Sequence, residues 1–374
     1  MTTVGYFYHD GRELRLQFNE SAIQWNPKFP QTPRSLCSKS CLPGYQKLQH
    51  KGGQPCCHYC VPCPENEITN KNDMARCYKC PEDQWPNERR DTCIQRTTDF
   101  LSYGDTLGIA LVFMALLLCF GTIIILGIFV KHKDTPIVKA NNRTFSFILL
   151  LSLILSFLCP LLFIGCPTKM SCLLRETVFG MTFSVAVSSV LAKTVTVVLA
   201  FSVTRPISKV NQRLRKQFSV LLLIICSSGQ LAISVFWLVF SPPFPEYNTH
   251  VELGKIILQC NEGSVTAFYI VVGYMGGLAM FSFIVAFLAR RLPDTFNEAQ
   301  YITFSMLVFC SVWISFIPAY LSSKGKYMVA VEVFAILSSS AGFLGCIFIP
   351  KCYIILIRPE LNAKATVTQR KTLK

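Results

Sequence analysis

Residues 105–130 read DTLGIALVFMALLLCFGTIIILGIFV, and no charged side chain follows Asp105 in this stretch. A helix rises about 1.5 Å per residue, so roughly 20 residues cross a hydrocarbon core about 30 Å thick. The apolar positions are continuous rather than alternating, which favours a helix over a strand of a membrane barrel. The stretch therefore predicts a transmembrane helix.

Six more runs of this kind follow toward the carboxyl terminus, at residues 144–165, 173–201, 218–240, 264–288, 301–322 and 328–350. The chain has 374 residues, of which 51% are hydrophobic and 15% charged, whereas soluble domains average about 25% charged residues. This composition excludes a lone soluble enzyme, and no catalytic motif, cofactor motif or phosphate-binding glycine loop accompanies it. The sequence predicts an all-α seven-helix transmembrane bundle without a cofactor.

Lysine and arginine residues are unequally divided between the loops on the two sides of this bundle. Seventeen lie in the first, third and fifth connections and the tail, within residues 131–143, 205–216, 290–291 and 351–374, and four lie in the other connections. Positively charged loops stay in the cytoplasm. The carboxyl terminus is therefore expected in the cytoplasm and residues 1–102 outside the cell, with lipid around the helices. The net charge of +15 follows from this orientation and does not indicate nucleic-acid binding.

Residues 1–102 are polar and contain nine cysteines, an odd number that leaves at least one thiol to pair outside the segment. Cys57, Cys60, Cys77 and Cys80 form two CxxC pairs, a spacing that also suits tetrahedral zinc. The expected extracellular location and the scarcity of apolar residues favour disulfides instead. We expect a small disulfide-rich extracellular module without a metal, built from Cys37, Cys41, Cys56, Cys57, Cys60, Cys63, Cys77, Cys80 and Cys93.

Before the cysteines, apolar and polar side chains alternate at residues 14–18 and again at 23–25. Such alternation indicates a pair of strands, and an isolated pair is marginal in water. We therefore expect these residues to be the last strands of a larger amino-terminal domain that is missing from the sequence.

Few ionisable residues interrupt the apolar runs, and each is costly in hydrocarbon and so a candidate for function. Arg175 and Glu176 lie at the outer end of the third run, where they either face the interior or extend to the interface. Lys193 lies near the cytoplasmic end of the same run, where it either extends to the surface or pairs with Glu298. Glu332 is expected to face the bundle interior or its water-filled mouth.

Two cysteines at the outer side of the predicted bundle can form a bridge. Cys172 begins the third run and Cys260 lies in the fourth connection, so a disulfide between them would hold the second outer loop to the bundle. Cys166 is an alternative partner for either. Trp313 lies about one and a half turns before Pro318, at a position where a proline kink predicts a hinge.

Several segments carry a resemblance to a known family. In the cysteine module these are SLCSKSCLPGYQK (35–47), PCCHYCVPCPENEI (55–68) and ARCYKCPEDQWPN (75–87). In the bundle they are DTPIVKANNR (134–143), LPDTFNEAQYITFSMLVFCSVWISFIPAY (292–320) and PKCYIIL (350–356). Together they resemble class C G-protein-coupled receptors and their nine-cysteine domain. LAKTVTVVLAF (191–201) and GSVTAFY (263–269) are most similar to vomeronasal type-2 receptors.

The resemblance implies a disulfide pattern and several functional positions. It joins Cys37 with Cys57, Cys41 with Cys60, Cys63 with Cys77, Cys80 with Cys93 and Cys172 with Cys260, and leaves Cys56 to bridge to the ligand-binding domain. It also implies a cytoplasmic ionic contact between Lys193 and Glu298, a switch tryptophan of the sixth helix at Trp313, and a place in the allosteric pocket of the bundle for Glu332.

The implied organisation has four parts: residues 1–34 as a remnant of the amino-terminal flytrap domain, 35–102 as the nine-cysteine domain, 103–357 as the seven-helix domain, and 358–374 as a short basic cytoplasmic tail.

The implied function is that of a chemosensory or pheromone receptor, a homo- or heterodimer that transmits binding of an extracellular ligand to a heterotrimeric G protein. The alternatives are a truncated non-signalling fragment or dimer partner, and a channel or transporter. Asn19, in a sequon with Ser21, is the expected glycosylation site.

Overall fold

The computed structural model describes residues 3–11, 13–28, 37–50, 52, 57–140, 142–201, 209–249, 252–290 and 298–358. The chain divides into two compact units, Met1–Arg96 and Thr97–Lys374.

The first unit begins with an antiparallel strand pair, β1 (Gly5–Asp10) and β2 (Glu13–Phe18). A short 3₁₀ turn, Glu20–Ala22, follows. The alternation predicted strands at residues 14–18 and 23–25. The second of these is wrong, because β2 pairs with β1, which precedes it in the chain, and residues 23–25 form no strand. Gly11 adopts a positive φ of 62° in the connection, a conformation that glycine reaches at low cost.

Three more short strand pairs complete the first unit. They are β3 (Tyr45–Gln49) with β4 (His58–Pro62), β5 (Glu67–Ile68) with β6 (Tyr78–Lys79), and β7 (Gln84–Pro86) with β8 (Cys93–Gln95). Cys41, Cys63 and Cys80 are among its few buried residues. Strands this short bury little apolar surface, so covalent bridges replace a hydrophobic core.

The second unit begins with β9 (Thr97–Asp99) and continues as a helical bundle. Its helices are α1 (Thr106–Lys131), α2 (Pro136–Ala140), α3 (Arg143–Leu158), α4 (Pro160–Phe163), α5 (Lys169–Phe201), α6 (Lys209–Phe240), α7 (Val265–Ala289), α8 (Glu298–Ser322), α9 (Lys326–Phe343) and α10 (Ile349–Leu356). A π segment, Leu344–Phe348, joins α9 to α10. Within the described residues, seven helical spans are long and apolar enough to cross a membrane, with α3 and α4 forming the second and α9 to α10 the seventh. The predicted seven-helix bundle is confirmed.

Four spans extend well beyond the apolar runs that predicted them. The third begins at Lys169, the helix of the fourth at Lys209 and the sixth at Glu298, and the seventh continues to Leu356. A helix satisfies its backbone groups internally, so it continues through polar residues at the membrane surface. An apolar run therefore gives the minimum length of a span.

The apolar runs contain Pro160, Pro318 and Pro350, and a proline within such a run is expected to kink the helix. Pro318 lies inside α8, as the sequence predicts. Pro160 instead begins α4 directly after α3, and Pro350 is the second residue of α10. Both still lie inside continuous spans, residues 143–163 and 326–356, and each coincides with an interruption of the regular helix, the break after α3 and the π segment before α10.

The core of the second unit surrounds α5, which is the most buried span and packs against α3, α6, α7 and α8. Large apolar side chains from the other helices fill the centre, including Phe129, Phe157, Ile302 and Phe348. By contrast α1 and α6 are largely exposed along their length, which suits contact with lipid.

A three-stranded sheet lies beside the ends of the helices. Its central strand β11 (Lys255–Asn261) is antiparallel to β10 (Phe244–Asn248) and parallel to β9. The connection between α6 and α7 supplies β10 and β11, whereas β9 precedes α1. The sheet therefore ties the start of the bundle to a loop more than 140 residues later in the chain.

Candidate functional site

Four disulfides staple the first unit. The structure joins Cys37 with Cys57, Cys41 with Cys60, Cys63 with Cys77 and Cys80 with Cys93. These are the pairs that the family resemblance implies. The four CxxC cysteines each belong to a different disulfide and so are not available together as zinc ligands. Cys56, the expected interdomain cysteine, lies outside the described residues.

Asp73 connects two parts of this unit through its carboxylate. The Ser40 hydroxyl donates to Oδ2 at 2.5 Å and the Cys41 N–H donates to Oδ1 at 2.8 Å. Nε2 of His58 lies 3.8 Å from Oδ1. The hydrogen bonds from Ser40 and Cys41 hold the pKa of Asp73 below its ordinary value of 3.8. The ionised carboxylate is thus the form that the folded unit favours.

We expect Asp73→Asn to weaken the acid sensitivity of the cysteine module. Because the folded pKa is depressed, ionised Asp73 contributes stability above the unfolded pKa, near pH 4, and this contribution is lost as the pH falls through the folded value. Protease resistance of the module, followed from pH 6 to pH 3, checks this. Glu82→Gln, at an exposed carboxylate of the same unit, is the matched control and should leave the pH profile unchanged. An unaltered profile for Asp73→Asn would contradict the prediction.

A fifth disulfide joins the start of α5 to β11. The structure pairs Cys172 with Cys260, and their side chains are 0% and 8% exposed. Cys166, the rival partner, is exposed and has a free thiol. Cys172 lies in the first turn of α5 rather than before it, so the bond fixes the sheet directly to the central helix.

Ion pairs link β9 and β11 to the starts of α1 and α9. Nζ of Lys326 lies 3.2 Å from Asp99 and 3.5 Å from Asp105. Nζ of Lys255 lies 3.8 Å from Asp99 and 3.0 Å from Glu252. The pairs are partly exposed, and each is worth about 0.2–1 kcal/mol. Their shared members make them a network that joins four separate parts of the second unit.

We expect Lys326→Glu to lower the unfolding temperature by about 3–6 °C, because two attractions become repulsions of similar size, or about 1–2 kcal/mol in all. Thermal unfolding in detergent measures the change. Lys324→Glu makes the same charge change at a neighbouring exposed side chain and should have little effect. Adding Asp99→Lys to Lys326→Glu restores the attraction and should recover part of the loss. No recovery would show that the effect is not one of paired charges.

A cavity of about 170 Å³ opens at the end of the bundle beside this sheet. Arg175 of α5, Tyr320 of α8, Glu332 of α9 and Glu262, which follows β11, line it. Glu332 is 8% exposed. The expected position of Glu332, facing the interior at the mouth of the bundle, is the one that the structure has.

Carboxylates outnumber cations around this cavity. Nε of Arg175 lies 3.1 Å from Oε1 of Glu176, and its guanidinium stacks over Phe163 at 5.2 Å. Glu176, Glu262 and Glu332 all interact electrostatically with that single guanidinium. Arg175 and Glu176 are 7% and 6% exposed, so they face the interior and do not extend to the interface.

Trp313 lies deeper, in a cluster of aromatic rings. Its indole lies 5.7 Å from Phe179, 5.4 Å from Phe183 and 5.2 Å from Phe316, measured between ring centroids. It also lines an apolar cavity of about 230 Å³ between α7 and α8. The cluster joins α5 to α8, and Pro318 follows one and a half turns later.

Three charged side chains meet near the start of α8. Nζ of Lys193 lies 3.1 Å from Oε1 of Glu298, and Nζ of Lys351 lies at the same distance from the same oxygen. Their side chains are 1%, 7% and 3% exposed, respectively for Lys193, Glu298 and Lys351. Lys193 also donates to the Ser146 hydroxyl at 2.8 Å. Of the two alternatives for Lys193, the structure has the ion pair.

Sequence reasoning missed Lys351 and Glu262. Lys351 follows the last apolar run and was counted only among the cytoplasmic charges, although it stands in the PKCYIIL segment that resembles the family. Glu262 lies in an outer loop, where a carboxylate is ordinarily solvated. The folding of β11 over the helices brings it to the cavity.

Asn19 is exposed and lies just after β2. The hydroxyl of Ser21 donates to its side-chain oxygen at 2.6 Å. The sequon is thus open to solvent in a turn, as a glycan acceptor requires.

A disulfide-stapled module, seven membrane-spanning helices and charged groups buried at both ends of the bundle define a seven-helix membrane protein with the architecture of a signalling receptor. A family model described as "7 transmembrane sweet-taste receptor of 3 GCPR" matches residues 101–351, and one described as "Nine Cysteines Domain of family 3 GPCR" matches residues 32–86. The chain belongs to the class C, or family 3, G-protein-coupled receptors.

Curated relatives agree with this membership. Vomeronasal type-2 receptor 26 of Mus musculus is 52% identical over 356 residues, which cover 95% of this chain and 42% of the relative. Vomeronasal type-2 receptor 116 of Mus musculus is 49% identical over 96% of this chain and 42% of its own length. The extracellular calcium-sensing receptor of Homo sapiens is 43% identical over 96% of this chain and 33% of its own length. The chain thus spans less than half the length of these relatives, which are receptors rather than enzymes.

Proposed function

We propose that this protein is a receptor of the plasma membrane whose cytoplasmic loops activate a heterotrimeric G protein. The observation that carries the proposal is the ion-pair cluster in which Lys193 of α5 and Lys351 of α10 share Glu298 of α8. Breaking a buried ion pair costs about 3–5 kcal/mol. The cluster therefore fixes the start of α8 strongly, and movement of α8 on activation requires other contacts to replace these ion pairs. The basic segments at residues 205–216 and 290–298 are the proposed G-protein contacts.

The proposed orientation places the amino terminus outside the cell and the tail, residues 358–374, in the cytoplasm. The distribution of lysine and arginine supports it. Disulfides in the first unit and an exposed sequon at Asn19 are also typical of an extracellular location. We assign residues 1–34 to a ligand-binding domain, residues 35–102 to the nine-cysteine domain and residues 103–357 to the seven-helix domain.

The proposed signal is an extracellular chemosensory ligand, such as a pheromone. Two relatives named as vomeronasal type-2 receptors support this class of signal. The signal from ligand binding to an amino-terminal domain would reach the bundle through the cysteine module. Cys56 would form the disulfide between that domain and the module, and the receptor would act as a homo- or heterodimer. The strand β9, which directly precedes α1 and pairs with β11, gives that signal a route into the second unit.

The outer cavity is the proposed allosteric site of the bundle. Glu332 lines it together with Arg175, and two further carboxylates act on the same guanidinium. The three carboxyl groups outnumber the single guanidinium, and this excess of hydrogen-bond acceptors suits a small ligand with a basic nitrogen. Trp313, in the aromatic cluster below, is the proposed switch that would pass a change at this cavity to α8.

Nucleotide exchange tests the function directly. The purified chain in lipid nanodiscs is mixed with each class of heterotrimeric G protein, and binding of a non-hydrolysable GTP analogue is followed over time. We expect at least one class to exchange faster than with empty nanodiscs, and G-protein peptides to protect residues 205–216 from proteolysis. Exchange no faster than with empty nanodiscs for every class would reject the proposal.

Two further assays separate the alternative functions. A non-signalling fragment or dimer partner would change surface labelling of a co-expressed full-length vomeronasal relative while leaving nucleotide exchange at the basal rate. A channel or transporter would instead give solute-dependent flux in proteoliposomes. The match to two family models of class C receptors favours the receptor over a channel or transporter.

A further inference from the structure

The interface between α5 and α6 carries a row of polar side chains near the middle of both spans. On α5 the row contains Ser184 and Ser188, and Gly180 precedes them on the same face, since the three are spaced four residues apart. On α6 the row contains Ser227 and Gln230. Ser184, Ser188 and Gln230 are each at most 1% exposed.

Two contacts fix how the two helices face each other. A methyl group built on Gly180 would lie 2.8 Å from Nε2 of Gln230, so the amide packs directly on the glycine. Nearer the other end of the spans, Oγ1 of Thr196 and Oγ of Ser219 are 2.8 Å apart. The two helices run in opposite directions. Ser184 and Ser188 of α5 and Ser227 of α6 all lie between these two contacts, so the serines of the two helices face each other.

The polar atoms of this row are unusual in their hydrogen bonding. A serine in a helix commonly donates to the carbonyl four residues earlier, and the adjacent Ser189 does so at 2.7 Å to Val185. In the part of the chain that the structure describes, Oγ of Ser184, Oγ of Ser227 and Oε1 of Gln230 have no hydrogen-bond partner, and Oγ of Ser188 has only the weak partner that the Cys226 thiol supplies. Gln230 packs on Gly180 and Cys226 contacts Ser188, so the row lies where α5 packs against α6.

Leaving a buried polar group without a partner costs about 1–3 kcal/mol, and lipid cannot supply the missing bond. One buried water bridges two to four such groups. Hydroxyl and amide oxygens carry no net charge, which suits water rather than a divalent cation. We propose that ordered water binds between α5 and α6 at Ser184, Ser188, Ser227 and Gln230, and that it joins the two helices inside the membrane.

Two neighbouring side chains can report on this water. The Tyr274 hydroxyl of α7 donates to the carbonyl of Cys226 at 2.8 Å, and the Cys226 thiol lies against Ser188. X-ray radiolysis converts bound water to hydroxyl radical, which oxidises the nearest thiol or aromatic ring. Cys310 of α8 is the matched control, because its thiol is likewise half-buried but lines an apolar cavity.

The first experiment is radiolytic labelling of the whole chain in nanodiscs in ¹⁸O water, read by mass spectrometry. We expect Cys226 and Tyr274 to take up ¹⁸O at least fivefold faster than Cys310. Ser184→Ala combined with Ser188→Ala should lower that uptake at least threefold. Equal uptake at Cys226 and Cys310 in the unmodified chain would overturn the proposal, and this comparison does not depend on any variant folding.

The second experiment is thermal unfolding of single variants. If water occupies the row, Ser188→Ala removes a water ligand and lowers the unfolding temperature. If the hydroxyl is simply without a partner, alanine removes the unmet group and raises it, which would overturn the proposal. Ser189→Ala, which removes a backbone-bonded hydroxyl one position away, is the control for loss of a hydroxyl from α5. A sodium-dependent unfolding temperature that disappears in Gln230→Leu would also overturn it, in favour of a cation.

Discussion

Replacing Cys172 by serine is expected to abolish delivery of the folded protein to the cell surface. The bond from Cys172 to Cys260 closes a loop of 88 residues, and a loop of this size is worth about 4–5 kcal/mol by its effect on the unfolded chain. Both cysteines are buried where α5 meets β11. Loss of the bond frees the sheet whose ion pairs reach α1 and α9. Flow cytometry of an epitope-tagged chain measures the surface fraction.

Matched variants make this result specific to the pair. Cys260→Ser should reproduce the loss, and the double variant should be no worse than either single change, because one bond is removed in each case. Cys166→Ser removes an exposed free thiol nearby and should leave surface delivery unchanged. Normal delivery of Cys172→Ser together with failure of Cys166→Ser would instead support the alternative pairing.

The seven helices were predictable because the bilayer imposes a simple rule on sequence. A span must be apolar for about 20 residues and must satisfy its backbone internally, so runs such as 105–130 identify helices without any knowledge of packing. The ends of the helices were less predictable, since polar residues such as Lys169 and Glu298 continue a helix at the membrane surface. The rule therefore predicts the part of each helix inside the hydrocarbon core and not the helix ends at the membrane surface.

The contacts between distant segments were the part that the sequence did not predict. Strand β9 has three residues and pairs in parallel with a loop far along the chain, so no local pattern identifies it. Lys351 has the same difficulty, because a lysine at the cytoplasmic end of a span ordinarily extends to water. Its burial follows from the three-dimensional meeting of α5, α8 and α10 at Glu298.

Residues whose burial is costly were easier to assign than those in loops. A glutamate inside an apolar run, such as Glu332, has few options besides the bundle interior, and the structure places it at a cavity. Glu262, in a polar loop, has no such restriction on its position. For the candidate residues, a place inside an apolar run thus predicted where the side chain lies in the bundle, whereas a place in a loop did not.

Replacing Glu298 by glutamine is expected to lower the stability of the bundle and raise basal nucleotide exchange. The change removes the carboxylate that Lys193 and Lys351 share, while both ammonium groups stay at 3% exposure or less. Leaving a buried charge uncompensated costs about 3–5 kcal/mol, which lowers the unfolding temperature by at least about 6 °C for a domain of this size. Under the proposed function, the released start of α8 moves more readily to the active arrangement. Thermal unfolding and exchange of a GTP analogue in nanodiscs measure the two effects.

Two comparisons separate the charge of Glu298 from its packing. Adding Lys193→Met and Lys351→Met to Glu298→Gln removes the uncompensated charges and should restore most of the unfolding temperature, because a buried ion pair can be replaced by apolar side chains at little cost. Asp134→Asn breaks the pair with Lys139, whose side chains are 71% and 59% exposed, and should change neither measurement. Basal exchange should stay high in the triple variant, since α8 is no longer held by charge. A return of exchange to the original rate would show that stability, and not release of α8, sets the basal activity.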